Sequence, residues 1–164
     1  MHGLFYKESG FTYRRGVTVG DFLARERLSL PGTMETEAPK RVMHRVLVVD
    51  DDHDLAELLR EVLTYENCEV DIAVNGMEAM EHLHARDYEA ILCDLMMPRV
   101  DGEVLYNDVT RQFPYLGDRF LFITGQASRK AGFSDFIYRT GNYLIEKPFE
   151  VQELRRAIRE IFLR

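Results

Sequence analysis

Asp50, Asp51 and Asp52 follow the apolar residues Val46 to Val49 without a break. Carboxylates crowded into a semi-enclosed place repel one another, and a cation relieves that repulsion. The same kind of placement recurs further along. Asp94 closes the run Ala90–Cys93, Thr124-Gly125 closes Phe120–Ile123, and Lys147-Pro148 follows Tyr143–Ile145. Carboxylates with open positions suit magnesium, which prefers oxygen ligands and keeps several waters. A hydroxyl and an ammonium beside them complete a site for a phosphoryl group. Taken singly, each residue has a plainer account. One Asp of 50–52 caps the next helix, Asp94 starts another, Thr124 is an ordinary strand residue and Lys147 is solvated. Their joint placement at the ends of different strands favours chemistry.

The elements that must position them are legible. Val46–Asp50, short, apolar and β-branched, suits a strand buried on both faces. A helix follows with Leu55, Leu58, Leu59, Val62 and Leu63 on one stripe. Strand Glu69–Val74, a helix burying Ala79, Met80 and Leu83, and strand Ala90–Cys93 come next. After Pro98 and Asp101-Gly102 a helix runs to Phe113 and stops at Pro114. Strand Phe120–Thr124 leads to a helix over 128–140 that presents Phe133, Phe136 and Ile137, with Gly141 as its C-cap. Strand Tyr143–Ile145 precedes a last helix over 150–162 that buries Val151, Leu154, Ile158 and Ile161. Strict alternation of strand and helix gives an α/β fold, a five-stranded parallel sheet doubly wound with five helices. In such sheets ligands bind beyond the carboxyl ends of the strands.

Composition narrows the function classes. At 46% hydrophobic and 30% charged, the chain is ordinary globular protein rather than a disordered segment. Net charge is −7; residues 1–40 carry +1 and residues 41–164 carry −8. Such an acid balance argues against direct nucleic-acid binding and for cations. Cys68 and Cys93 are expected to be buried, reduced thiols. No run reaches the length of a membrane span and no apolar signal core opens the chain, so a cytoplasmic protein without membrane contact is expected. Residues 1–40 read as an N-terminal extension and linker with one short helix near 18–28, ahead of a main domain over 41–164.

The segments V-L-V-V-D-D at 46–51, C-D-L-M-M-P-R-V-D-G at 93–102, F-I-T-G at 122–125 and E-K-P-F at 146–149 resemble the motifs of response regulator receiver domains of two-component systems. The resemblance covers residues 45–164 and implies the flavodoxin-like strand order 2-1-3-4-5. It implies that Asp94 is the phosphoacceptor. Asp50, Asp51, Asp94 and the backbone carbonyl of Met96 would hold Mg2+, Thr124 would hydrogen-bond the phosphoryl group, and Lys147 would pair with it, next to a cis Lys147-Pro148 bond. The donor would be a histidine kinase or a histidine phosphotransfer protein. The domain would catalyse only its own phosphorylation and slow dephosphorylation, then signal through protein contact or onward phosphotransfer in a phosphorelay, with a homodimer possible. The chain stops soon after its last helix, so no C-terminal output domain is expected. One departure stands out: family members usually place an aromatic residue three before the lysine, where this chain has Leu144, beside Tyr143. The types at Met96 and Gln126 should tune the phosphoryl lifetime.

Asp50-x-Asp52 after an apolar strand also resembles the nucleophile and acid of haloacid-dehalogenase-type phosphatases, with Thr124 and Lys147 as their further motifs. That reading lacks an acidic pair after Lys147 and leaves Asp94 without a role. A calcium loop at Asp50–Asp54 fails because Leu55 stands where the tight turn needs glycine. His82 and His84, two apart on a helix, share no face and read as surface residues. His44 and His53 flank the first strand, within reach of the pocket rim.

Overall fold

The computed structural model describes residues 5–8, 11–14, 43–97, 102–125 and 133–164. The sheet is built on β1 (His44–Val49), whose residues Val46 to Val49 have no exposed surface. It pairs in parallel with β2 (Cys68–Ala73) on one side and β3 (Ala90–Asp94) on the other. Then come β4 (Phe120–Thr124) and β5 (Tyr143–Glu146), giving five strands in the order β2-β1-β3-β4-β5. This is the expected 2-1-3-4-5 arrangement. Parallel neighbours require crossovers, and the helices supply them: α1 (His53–Tyr65), α2 (Gly76–Ala85), α3 (Gly102–Gln112), α4 (Phe133–Thr140) and α5 (Val151–Phe162).

Side chains alternate along each strand, so the sheet has two apolar faces. Val46, Val48, Leu121 and Ile123 pack on α1 and α5 through Leu55, Leu59, Leu154 and Ile158. Leu47, Val49, Phe120 and Phe122 pack on α2, α3 and α4 through Leu83, Leu105 and Phe136. Each fully buried Phe or Leu contributes about 1.5–3 kcal/mol. Helix starts follow local chemistry. The Asp52 carboxylate accepts from Leu55 N–H at 3.1 Å. Asn75 accepts from Glu78 N–H at 2.9 Å while Glu78 accepts from Val74 N–H at 3.1 Å, a reciprocal cap. Gly141 ends α4 with φ +65°, the left-handed cap glycine tolerates best.

Glu66 closes α1, where the dipole opposes a carboxylate. Two arginines of α5 offset this: Arg155 Nε lies 2.9 Å and an Arg159 amino group 2.6 Å from its oxygens. Glu66 and Arg155 side chains are only 9% and 8% exposed, so the contact is buried and α1 and α5 are tied by charge as well as by packing. Glu66→Ala should therefore cost on the order of 3 kcal/mol in urea unfolding, through the buried guanidinium deprived of its carboxylate. A loss under about 0.5 kcal/mol would show that the bridge contributes little.

Some sequence expectations change here. The segment 1–40, expected to be extension and linker, contains a two-stranded antiparallel hairpin, Phe5–Glu8 with Phe11–Arg14, in which Glu8 is opposite Phe11. The short helix near 18–28 lies outside the described residues, as does the first part of the helix expected over 128–140. A 3-10 turn, Pro114–Leu116, follows α3. His44 is not at the pocket rim. It opens β1 at the opposite end of the sheet, stacked 3.9 Å from the Phe162 ring and 2.8 Å from Glu89.

Candidate functional site

Asp50 is the first residue past β1, carried there by a fully buried strand, and is 1% exposed. One carboxylate oxygen accepts from the Asp52 backbone N–H at 2.8 Å. The other faces Lys147 Nζ at 3.2 Å. Asp94, the last residue of β3, is held the same way: Met96 N–H donates to one oxygen and Lys147 Nζ to the other, at 2.8 and 2.7 Å. Lys147 follows β5, and its own N–H donates to the Thr124 carbonyl at 2.6 Å. The Lys147-Pro148 bond is cis. Thr124, fully buried at the end of β4, donates its hydroxyl to the Gly125 carbonyl at 3.3 Å. Asp51 is exposed, yet one oxygen from each of Asp50, Asp51 and Asp94 lies within 4.8 Å of the others. At Gly102 a Cβ would meet the Asp94 carbonyl at 2.8 Å and Leu95 Cα at 3.0 Å, so only glycine lets α3 start against the end of β3.

Burial dominates the electrostatics. It pushes the Asp50 carboxyl up from 3.8 to about 6, against the lowering pull of Lys147 and the Asp52 N–H; Asp94 raises it further. Burial lowers the Lys147 ammonium, but the hydrogen bond to Asp94 and the charges of Asp50 and Asp94 outweigh it, so its pKa is raised and it stays protonated. The folded chain thus binds the Asp50 proton more tightly than the unfolded chain does. Stability from that group is fully present below about pH 4 and is lost as pH rises through about 6, by about 3 kcal/mol in all. The arrangement is short of positive charge at neutral pH.

The residues at 46–159 match the family model described as the response regulator receiver domain. The chain belongs to the response regulator receiver domain family. A similar curated protein is the response regulator ArlR of Staphylococcus aureus, 29% identical over 122 residues that make up 74% of this chain and 54% of ArlR. The chain therefore spans about half the length of the curated relatives it matches. Among solved structures, a putative response regulator from Chloroflexus aurantiacus is 33% identical with a TM-score of 0.65, covering 75% of this chain and all of that one. TrrA of Thermotoga maritima, crystallised with Mg2+ and beryllofluoride, is 28% identical with a TM-score of 0.62, covering 73% of this chain and 99% of TrrA.

As a receiver, the domain is a phosphoacceptor module of two-component signalling rather than a metabolic enzyme. The phosphatase reading falls, since the family match spans the strands that bring Asp94, Thr124 and Lys147 together. Asp52, its proposed acid, is committed to capping α1. The structure brings together Asp50, Asp51, Asp94 and Lys147 from β1, β3 and β5. Met96 is placed by its N–H on Asp94. Gln126 lies outside the described residues. Gly102 was read from the sequence only as the start of a helix and the end of the 93–102 motif; its contact with Asp94 appears once α3 is docked. Leu144 lies half-buried on β5 in register with Phe122. No helix among the described residues is long and apolar enough to cross a membrane.

Proposed function

We propose that this receiver takes a phosphoryl group onto Asp94 from a phosphohistidine of a histidine kinase or histidine phosphotransfer protein. The observation that carries the proposal is Asp94 itself. It is a buried carboxylate at a strand end, oriented by a backbone N–H and paired with an ammonium that it shares with a second carboxylate. In the transfer, a carboxylate oxygen of Asp94 forms a bond to phosphorus while the phosphorus–nitrogen bond breaks and the donor imidazole leaves. Lys147 moves from the carboxylate to the arriving phosphoryl oxygens, and the Thr124 hydroxyl turns from the Gly125 carbonyl to the same group. The same pocket later admits water, so dephosphorylation is slow and intrinsic. The reading places the receiver at 41–164 and gives residues 1–40 no part in the pocket.

Three hard oxygen donors with open positions, short of positive charge, fit magnesium. Asp50, Asp51 and Asp94 would hold it, with the Met96 carbonyl as a further ligand, and it would supply neutralising charge to the phosphoryl oxygens. Because the Asp50 proton competes with the ion, Mg2+ affinity should be level above about pH 7 and about tenfold weaker at pH 5. Calorimetric titration across that range checks this; pH-independent affinity would remove Asp50 from the ligand set.

The function is tested by incubating the chain with Mg2+ and acetyl phosphate. The expected result is stoichiometric gain of a phosphoryl group, lost slowly on removing the donor. Continuous release of phosphate with no phosphorylated chain accumulating would contradict it.

A further inference from the structure

The chain enters the main domain at Met43, one residue before β1. The His44 ring stacks on Phe162 at the end of α5, 3.9 Å away and nearly parallel to it. The His44 N–H donates to the Asn67 carbonyl at 3.2 Å, which brings the end of α1 to the same place. Three large apolar side chains near this junction lie open to solvent: Met43 is 56% exposed, Tyr65 41% and Leu163 86%. Met43 adjoins His44, Leu163 adjoins Phe162, and Tyr65 stands two before Asn67. All three therefore belong to the end of the sheet away from Asp94, an end that phosphoryl transfer does not use.

The hairpin Phe5–Glu8 with Phe11–Arg14 is a separate sheet of two strands. A hairpin of that size is marginal by itself in water and needs a surface to pack on. Its register sets Tyr6 opposite Tyr13 and Glu8 opposite Phe11. Tyr6, Phe11 and Tyr13 thus share one face with Glu8, while Phe5, Lys7, Thr12 and Arg14 share the other. One face is mostly aromatic and the other mostly polar.

We infer that the aromatic face of this hairpin docks, within the same chain, on the apolar end formed by Met43, Tyr65 and Leu163 beside the His44–Phe162 stack. The docking surface starts where the segment carrying the hairpin joins the domain. Residues 15–42, which connect the two, are ample to fold the hairpin back onto it. Charge favours the approach, since residues 1–40 carry +1 and residues 41–164 carry −8. A second copy is a poorer occupant. A stable interface between separate molecules takes about 20–30 residues a side, and three exposed apolar side chains fall far short of that. A tethered segment meets the same surface at high effective concentration and needs less of it. Docking at this end leaves the pocket open to its donor.

The test places a nitroxide spin label on the isotope-labelled full chain at Ser9→Cys, between the two strands, and follows the loss of amide signal. The native Cys68 and Cys93 are buried and resist the reagent. Signal loss should concentrate at Met43, Tyr65, Asn67 and Leu163 and spare Asp51, Asp94 and Lys147. Loss spread evenly over the domain, loss centred on α3 or α4, or no loss at all would overturn the inference. Equal loss in a mixture of spin-labelled chains with separate isotope-labelled chains would assign the contact to a second copy and overturn docking within one chain. Met43→Glu combined with Leu163→Glu changes only exposed side chains, so the domain should fold as before, and signal loss at Tyr65 and Asn67 should fall at least twofold. Undiminished loss in that variant would overturn the inference; if the variant fails to fold, the pattern in the spin-labelled chain without these two changes decides.

Discussion

Asp94→Asn is expected to abolish phosphoryl uptake from acetyl phosphate and leave a chain at least as stable as the parent. Asn keeps the shape of the side chain and still accepts from the Met96 N–H that orients Asp94 at 2.8 Å. It has no anionic oxygen to attack phosphorus. It also removes one of two buried carboxylates that share a single ammonium. Asp94 is among the causes that raise Asp50, so the Asp50 carboxyl should titrate below about 6 in the variant. Intact mass after treatment with donor and Mg2+ reads the first effect, and urea unfolding the second. Labelling equal to the parent's would place the acceptor elsewhere.

Lys147→Met is expected to slow phosphoryl uptake by about 100- to 1000-fold, the usual scale for removing one positioned charge from a developing anion. It should also destabilise the cation-free chain by on the order of 3 kcal/mol, since two buried carboxylates lose the ammonium at 2.7 and 3.2 Å. The two effects separate with Mg2+. A cation that binds the folded pocket restores stability by mass action, and it should restore more in the variant than in the parent. It should not restore the rate if, as proposed, Lys147 contacts the phosphoryl oxygens directly. An uptake rate within about twofold of the parent at saturating Mg2+ would remove Lys147 from the transfer step.

Much of this was legible because the relevant signals are local. The apolar run Val46–Val49, the stripe Leu55–Leu63 and the acidic strand ends each show in a window of a few residues, and strict alternation then left few topologies. The hairpin at Phe5–Arg14 was also local. Two short aromatic-bearing runs flank Ser9-Gly10, a turn signal that was read as loop composition instead. Other features depend on tertiary docking. Glu66 meets Arg155 and Arg159 far along the chain, and no spacing rule connects them. His44 was placed by its nearness in sequence to Asp50, yet a six-residue strand separates two opposite ends of a sheet. The departure at Leu144 was plain in the sequence. What stands beside it, Phe122 in register and Phe136 across the cluster, required strand pairing to be known.

The central claim is that Asp94 receives the phosphoryl group. Its most direct test is to phosphorylate the parent chain with acetyl phosphate and Mg2+, trap the acyl phosphate by borohydride reduction, and map the modified residue by peptide mass spectrometry. The account predicts reduction of Asp94 to homoserine and intact Asp50, Asp51 and Asp52. Modification at Asp50 or Asp52 with Asp94 untouched would contradict it.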